Sequence, residues 1–292
     1  MNAKDQIMKN IFLLSLTVLL IGCNGQPKKE EANSEHTEET PTKTKRPVAL
    51  ENGKFFEVDG KKMLYGGEDE NQHFDITDYS LNDKQFHYGI GREKFPALLA
   101  PEFISVPEAN KIWADSTRFL VARSENEVKA YSVKDLTRHE IVNDVLDGQP
   151  IMAAYCILAD LGAIYERNYG GKELTFALSG YTYYDDKVWN GLDGFVFWDR
   201  ETESLWWPLI GKAVSGPLKN VGLLEMDQSK WDDTNWKFIR ENYPNAQVLK
   251  SGQDFESFFW RGSRSDVYQW SIRQDCFQPS HAELHQRTNS FL

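Results

Sequence analysis

Ile151-Met152-Ala153-Ala154-Tyr155-Cys156-Ile157-Leu158 is the stretch on which the fold turns. It is an apolar, β-favouring run, and others follow at short intervals: Ala163 to Glu166, Leu174 to Leu178, Phe195 to Trp198 and Leu205 to Ile210. Asn168-Tyr169-Gly170-Gly171 and the loop around Asp185-Asp186 supply the turns between them.

Upstream, Lys54 to Val58 and Lys61 to Tyr65 flank Asp59-Gly60, the pattern of a β-hairpin. His73 to Ile76 and Phe86 to Tyr88 read as further short strands, and Arg118 to Arg123 pairs naturally with Val128 to Val133 across Ser124 to Glu127. Three stretches read as helices. Pro107 opens one over Val106 to Trp113; Leu136, Ile141 and Val145 share faces over Leu136 to Val145; and Ser229 caps a third that runs through Glu241 and stops before Pro244. The expectation is an α+β class, a β-rich single globular domain with a few short helices, over residues 48–278, with a polar tail over 279–292. Aromatic residues make up 13% of the chain, including nine tryptophans, enough to fill one large core. No G-x-G-x-x-G, P-loop, G-x-S-x-G or HExxH motif is present, and no fixed-period repeat is evident.

The N-terminus carries an address. A short apolar run from Ile11 to Ile21 follows Lys9 and closes on Leu20-Ile21-Gly22-Cys23. This resembles a bacterial lipoprotein signal: residues 1–22 would be removed and Cys23 acylated, as with palmitate. The run falls short of the roughly 20 apolar residues of a spanning helix. Residues 24–47, rich in Lys, Glu, Thr and Ser, read as a disordered tether. The net charge is −11, and removal of the first 22 residues makes it slightly more negative. An acidic surface argues against a nucleic-acid partner and against broad adhesion to anionic lipid. The expected partner is a membrane, reached through lipidated Cys23, at the extracytoplasmic face of the cell envelope.

Three blocks attract chemical attention: Arg138 to Asp144, Tyr155-Cys156-Ile157-Leu158-Ala159-Asp160, and Phe197-Trp198-Asp199-Arg200-Glu201-Thr202-Glu203-Ser204-Leu205-Trp206 with Ser215-Gly216-Pro217-Leu218. Together with Phe95 to Leu98, Pro101 to Val106 and Tyr243 to Ala246, their order resembles the domain-of-unknown-function 3179 family over a core of about 95–249. That family places a C-x-x-C at the second block, which implies thiol or selenol redox chemistry or soft-metal binding. This chain keeps Cys156 and has Ala159 where the second cysteine would stand, so Cys276 is the remaining candidate to resolve a disulfide.

Cys156 is the candidate nucleophile or ligand, with His139 as base or ligand; the competing reading is an inert core cysteine and a structural histidine. His139, Cys156 and Asp160, with His73 and Asp75, have the donor types for copper or zinc, without a short ligand spacing. Glu140 and Asp144, four apart, would share a helix face, there to flank a site or to form a solvated acidic edge. Tyr181 to Tyr184, Trp189 and Trp206-Trp207 would line a carbohydrate or peptide groove, or else fill the core. Asp185-Asp186 with Glu201 and Glu203 offer paired acids of the kind glycoside hydrolysis needs. Two functions therefore stand: an uncharacterised lipid-anchored protein with thiol-redox or soft-metal chemistry centred on Cys156, or a non-catalytic ligand-binding or envelope-assembly module with an aromatic groove. The sequence names no cofactor.

Overall fold

The computed structural model describes residues 51–253. In chain order, β1 (Glu51–Asn52), β2 (Phe55–Val58), β3 (Lys61–Leu64), β4 (Phe74–Asp75), β5 (Phe86–Tyr88) and β6 (Phe103–Ser105) precede α1 (Val106–Ala109). Next come β7 (Arg118–Arg123), β8 (Val128–Ser132), α2 (Val133–His139), β9 (Ile141–Leu146), β10 (Gln149–Cys156), β11 (Leu161–Glu166), β12 (Asn168–Tyr169) and β13 (Lys172–Glu173). Then follow β14 (Phe176–Tyr183), β15 (Gly194–Asp199), β16 (Leu205–Trp207), β17 (Lys212–Ala213), β18 (Trp231–Asn235), α3 (Trp236–Asn242) and β19 (Gln247–Leu249). The class is the expected β-rich α+β.

The strands form a six-stranded sheet β1-β5-β14-β15-β16-β17, a five-stranded sheet β18-β7-β8-β19-β6, a three-stranded sheet β11-β10-β9, a second of three, β2-β3-β4, and the small β12-β13 pair. Burial stacks them in layers. Strand β10 is buried on both faces, and its alternation sorts the core. Ile151, Ala153 and Tyr155 join Leu120, Tyr131 and Trp231 of the five-stranded sheet. Met152, Ala154 and Cys156 join Phe176, Phe195, Phe197 and Trp206 of the six-stranded sheet. The far side of the six-stranded sheet packs Tyr181, Trp198 and Trp207 against Leu64 and Phe74 of the β2-β3-β4 sheet. Beyond the five-stranded sheet, Phe119, Val121 and Val248 meet Val106, Trp236 and Ile239 of α1 and α3.

The hairpin at Asp59-Gly60 forms as expected, both residues at positive φ. The β7-β8 pairing also forms across the expected turn. Strand β14 carries a bulge between Leu178 and Tyr181. There Gly180, at φ +78°, lies so close to Gly91 that a Cβ would meet its carbonyl oxygen at 2.1 Å, so only glycine fits.

Three helix expectations need correction. The first helix stops at Ala109 rather than Trp113. The Leu136–Val145 segment is not one helix: α2 ends at His139, Glu140 turns the chain at φ 53°, and Ile141–Leu146 is a strand paired with β10. Its β-branched Ile141 and Val142 find the sheet interior, and Val145, expected to share a helical face with Leu136 and Ile141, is 41% exposed. Ser229 does not start the third helix. Trp231–Asn235 pairs with β7, and Asn235 caps α3 by accepting the Phe238 N–H.

Candidate functional site

Cys156 is the last residue of β10, and Ile157 to Asp160 turn the chain into β11, where Leu161 is its partner. The thiol is buried, 2% exposed, at the contact between the three- and six-stranded sheets. Its Sγ accepts the N–H of Phe195 at 3.3 Å. Backbone N–H groups of Leu158 and Ala159, within its own turn, also point at the sulfur. Three backbone donors thus converge on the sulfur. Burial nevertheless dominates: with the nearby Glu140 carboxyl, it outweighs the donors and pushes the Cys156 thiol up to about 12.

Glu140, expected on a helix face with Asp144, lies instead beside Cys156. Its backbone carbonyl accepts the Tyr155 N–H at 2.8 Å, and its Oε1 faces the Ile157 N–H at 3.5 Å. That lays the carboxyl beside the thiol. Burial raises it to about 7, opposed only by the Ile157 N–H. The sequence hides this contact with Cys156, because it depends on a left-handed turn at a glutamate, which few such residues adopt. His139, also buried, directs Nδ1 at the Pro96 carbonyl, 2.9 Å away. Since a carbonyl only accepts, Nδ1 carries a proton and donates it there. No hydrogen bond joins His139 to Cys156 among the described residues.

Asp160 is held elsewhere. It sits at φ 51° and accepts from Tyr155 Oη at 2.6 Å and from Arg118 Nη1. Arg118 also grips Asp233 with two nitrogens, Nε at 2.8 Å and Nη2. Burial and Asp160 raise the Tyr155 phenol, and the two carboxylates raise Arg118 against its own desolvation. Among the described residues no cluster of three or more His, Cys, Asp or Glu is arranged to hold a metal ion. His73 and Asp75 lie in the β2-β3-β4 region: His73 Nδ1 accepts the Gly66 N–H at 3.2 Å, and Asp75 is lowered chiefly by the Thr77 hydroxyl.

Other expected site residues are dispersed. Asp144 is on β9, not a helix, and takes Lys129 and Tyr131 instead of facing Glu140. Most of the expected aromatic groove is core: Tyr181, Tyr183, Trp206 and Trp207 are all within 2% of full burial, in clusters on both sides of the six-stranded sheet, while Tyr184 and Trp189 are half-buried. Tryptophan and tyrosine rings are worth more inside than as a wet wall. Glu203 pairs with Arg92 at 2.9 Å, and Glu201 accepts the Thr175 N–H at 2.6 Å. One buried pair had no sequence signal at all: His87 Nδ1 meets Asp193, which also accepts from Thr182 at 2.9 Å, and the two partners are 106 residues apart. Cys23 and Cys276 lie outside the described residues.

A family model described as "Protein of unknown function (DUF3179)" matches residues 92–285. No curated protein and no solved structure matches the chain.

Proposed function

The chain belongs to the DUF3179 family of proteins of unknown function, and from that premise we propose that it is a lipid-anchored envelope protein that captures a soft, thiophilic cation at Cys156. The observation that carries this reading is the convergence of the Phe195, Leu158 and Ala159 N–H groups on one sulfur beside the Glu140 carboxyl. When the cation binds, the S–H bond breaks and a sulfur–metal bond forms. The thiol proton would pass by way of the neighbouring Glu140 carboxylate to water. Glu140 would then serve as the oxygen donor beside the sulfur. Thiol–disulfide exchange is less well supported, because Ala159 replaces the family's second thiol and Cys156 is the sole free cysteine among the described residues.

The test is a titration of the full chain carrying Cys276→Ala with silver(I), a redox-inert soft cation, followed by ultraviolet charge-transfer absorbance. One equivalent should bind and release one proton. The signal should vanish in Cys156→Ser and tighten about tenfold or more in Ala159→Cys, which restores a second sulfur at the i+3 position. A signal that persists in Cys156→Ser overturns the reading, as does a Cys156–Cys276 disulfide in the protein isolated from the envelope.

Anchoring has its own test. Cys23→Ala should leave the chain unacylated in cells fed a palmitate analogue and shift it from the membrane to the soluble fraction. Unchanged membrane retention would remove the lipid anchor from this proposal.

A further inference from the structure

We infer that Arg118 and Asp160 are positioning residues for the Cys156 seat, forming a clamp that ties the β10-β11 turn to the five-stranded sheet and governs access to the thiol. The inference rests on Cys156 being the reactive centre. Alternation along β10 sends Tyr155 toward the five-stranded sheet and Cys156 toward the six-stranded one. The turn that follows is consequently held from both sides. On the Cys156 side its Leu158 and Ala159 N–H groups face the sulfur. On the Tyr155 side Asp160 accepts from the Tyr155 phenol and from Arg118, while Arg118 is anchored by two bonds to Asp233 of β18. Gly162, just beyond the turn, presses so closely on Leu120 of β7 that a Cβ there would meet its side chain at 2.9 Å.

These contacts are linked. The two turn donors exist at the sulfur only while Ile157 to Asp160 keep their conformation, and Asp160 holds that conformation at a positive φ that an aspartate adopts at some cost. The clamp is made of side chains that retain some water contact, Arg118 and Asp160 being 33% and 27% exposed, whereas the thiol is sealed. Release of the clamp therefore opens the turn first and leaves the two large sheets in place. A planar guanidinium can bridge Asp160 and Asp233 at once; an ammonium cannot reproduce that fork.

The experiment is alkylation of Cys156 by iodoacetamide in the full chain carrying Cys276→Ala, at pH 8, as a function of sub-denaturing urea. Asp160→Asn and Tyr155→Phe should raise the rate about tenfold or more, with a shallow urea dependence that marks local opening. Arg118→Lys should be accelerated but less than Asp160→Asn. The inference is overturned if none of the three variants changes the rate. It is also overturned if the accelerated rates climb with urea as steeply as global unfolding, since the clamp would then contribute only to overall stability. Tyr155→Phe deletes one hydroxyl from a core ring and keeps the test valid should Asp160→Asn not fold. Silver is absent from this assay, so failure of cation capture and failure of the clamp show up separately.

Discussion

Asp144→Ala should cost about 3–5 kcal/mol of folding stability. Asp144 and Lys129 are 8% and 7% exposed. The Asp144 carboxylate accepts from Lys129 Nζ at 3.0 and 3.1 Å, from Tyr131 Oη at 2.7 Å and from the Val145 N–H at 2.7 Å. Removing it leaves a buried ammonium with the Val145 carbonyl at 2.6 Å, Glu127 at 3.8 Å and the Phe103 ring centroid at 4.5 Å. It also strips two further donors of their acceptor. Thermal or urea unfolding of Asp144→Ala measures the loss. A fall below about 1 kcal/mol would show that water or rearrangement satisfies Lys129. The double replacement Lys129→Met with Asp144→Leu should recover most of the deficit, because the cost lies in leaving one charge unpaired rather than in lacking the pair.

The second large effect concerns pH at the candidate site. In the unfolded chain Cys156 ionises near 9.0, and in the fold near 12. At pH 8 its thiolate fraction should therefore be about a thousandfold lower folded than unfolded, and native alkylation correspondingly slow. Glu140 rises from 4.5 to about 7 for the same reason, burial of the charged form. For both acids the unfolded state gives up its proton first as pH rises. The Glu140 contribution to stability is thus complete below about 4.5, declines through pH 7 and is then level, a difference on the order of 3 kcal/mol at most. The Cys156 contribution declines only above about 9. Glu140→Gln should flatten the stability profile between pH 5 and 8 and accelerate Cys156 alkylation by removing the neighbouring negative charge. An unchanged slope in that variant, or native alkylation as fast as in urea, would contradict this picture of the site.

The strands could be read directly from residues wherever local chemistry alone sets the structure. Asp59-Gly60 adopts two positive φ angles cheaply, so the hairpin around it follows from the residue types. The run Ile151 to Cys156 can only be a doubly covered strand or a buried helix, and its β-branched and aromatic neighbours favour the strand. What the sequence hid depends on the chain behaving against local preference. Glu140 breaks a pattern whose apolar spacing fits a helix, and the break makes it the neighbour of Cys156. Four adjacent residues, Asp232 to Asn235, are all competent helix caps, and strand pairing with β7 decides for the last of them. The tryptophan and tyrosine blocks are equally good wall or core by composition, and only the stacking of layers on both sides of the six-stranded sheet settles them inside.

The Gly91–Gly180 contact also bears on where the folding unit begins. The family match starts at residue 92, just beyond β5. Yet β5 pairs with Tyr181, Thr182 and Tyr183 of β14, and Phe86 fills the core on the far side of that sheet. A shortened chain starting at residue 92 would bare a row of backbone donors and acceptors along an aromatic strand, together with the apolar face that β2-β4 had covered. Such an edge recruits a strand from a neighbouring molecule. The segment ahead of the shared family region thus covers an edge and a face that the family core would otherwise present to its neighbours.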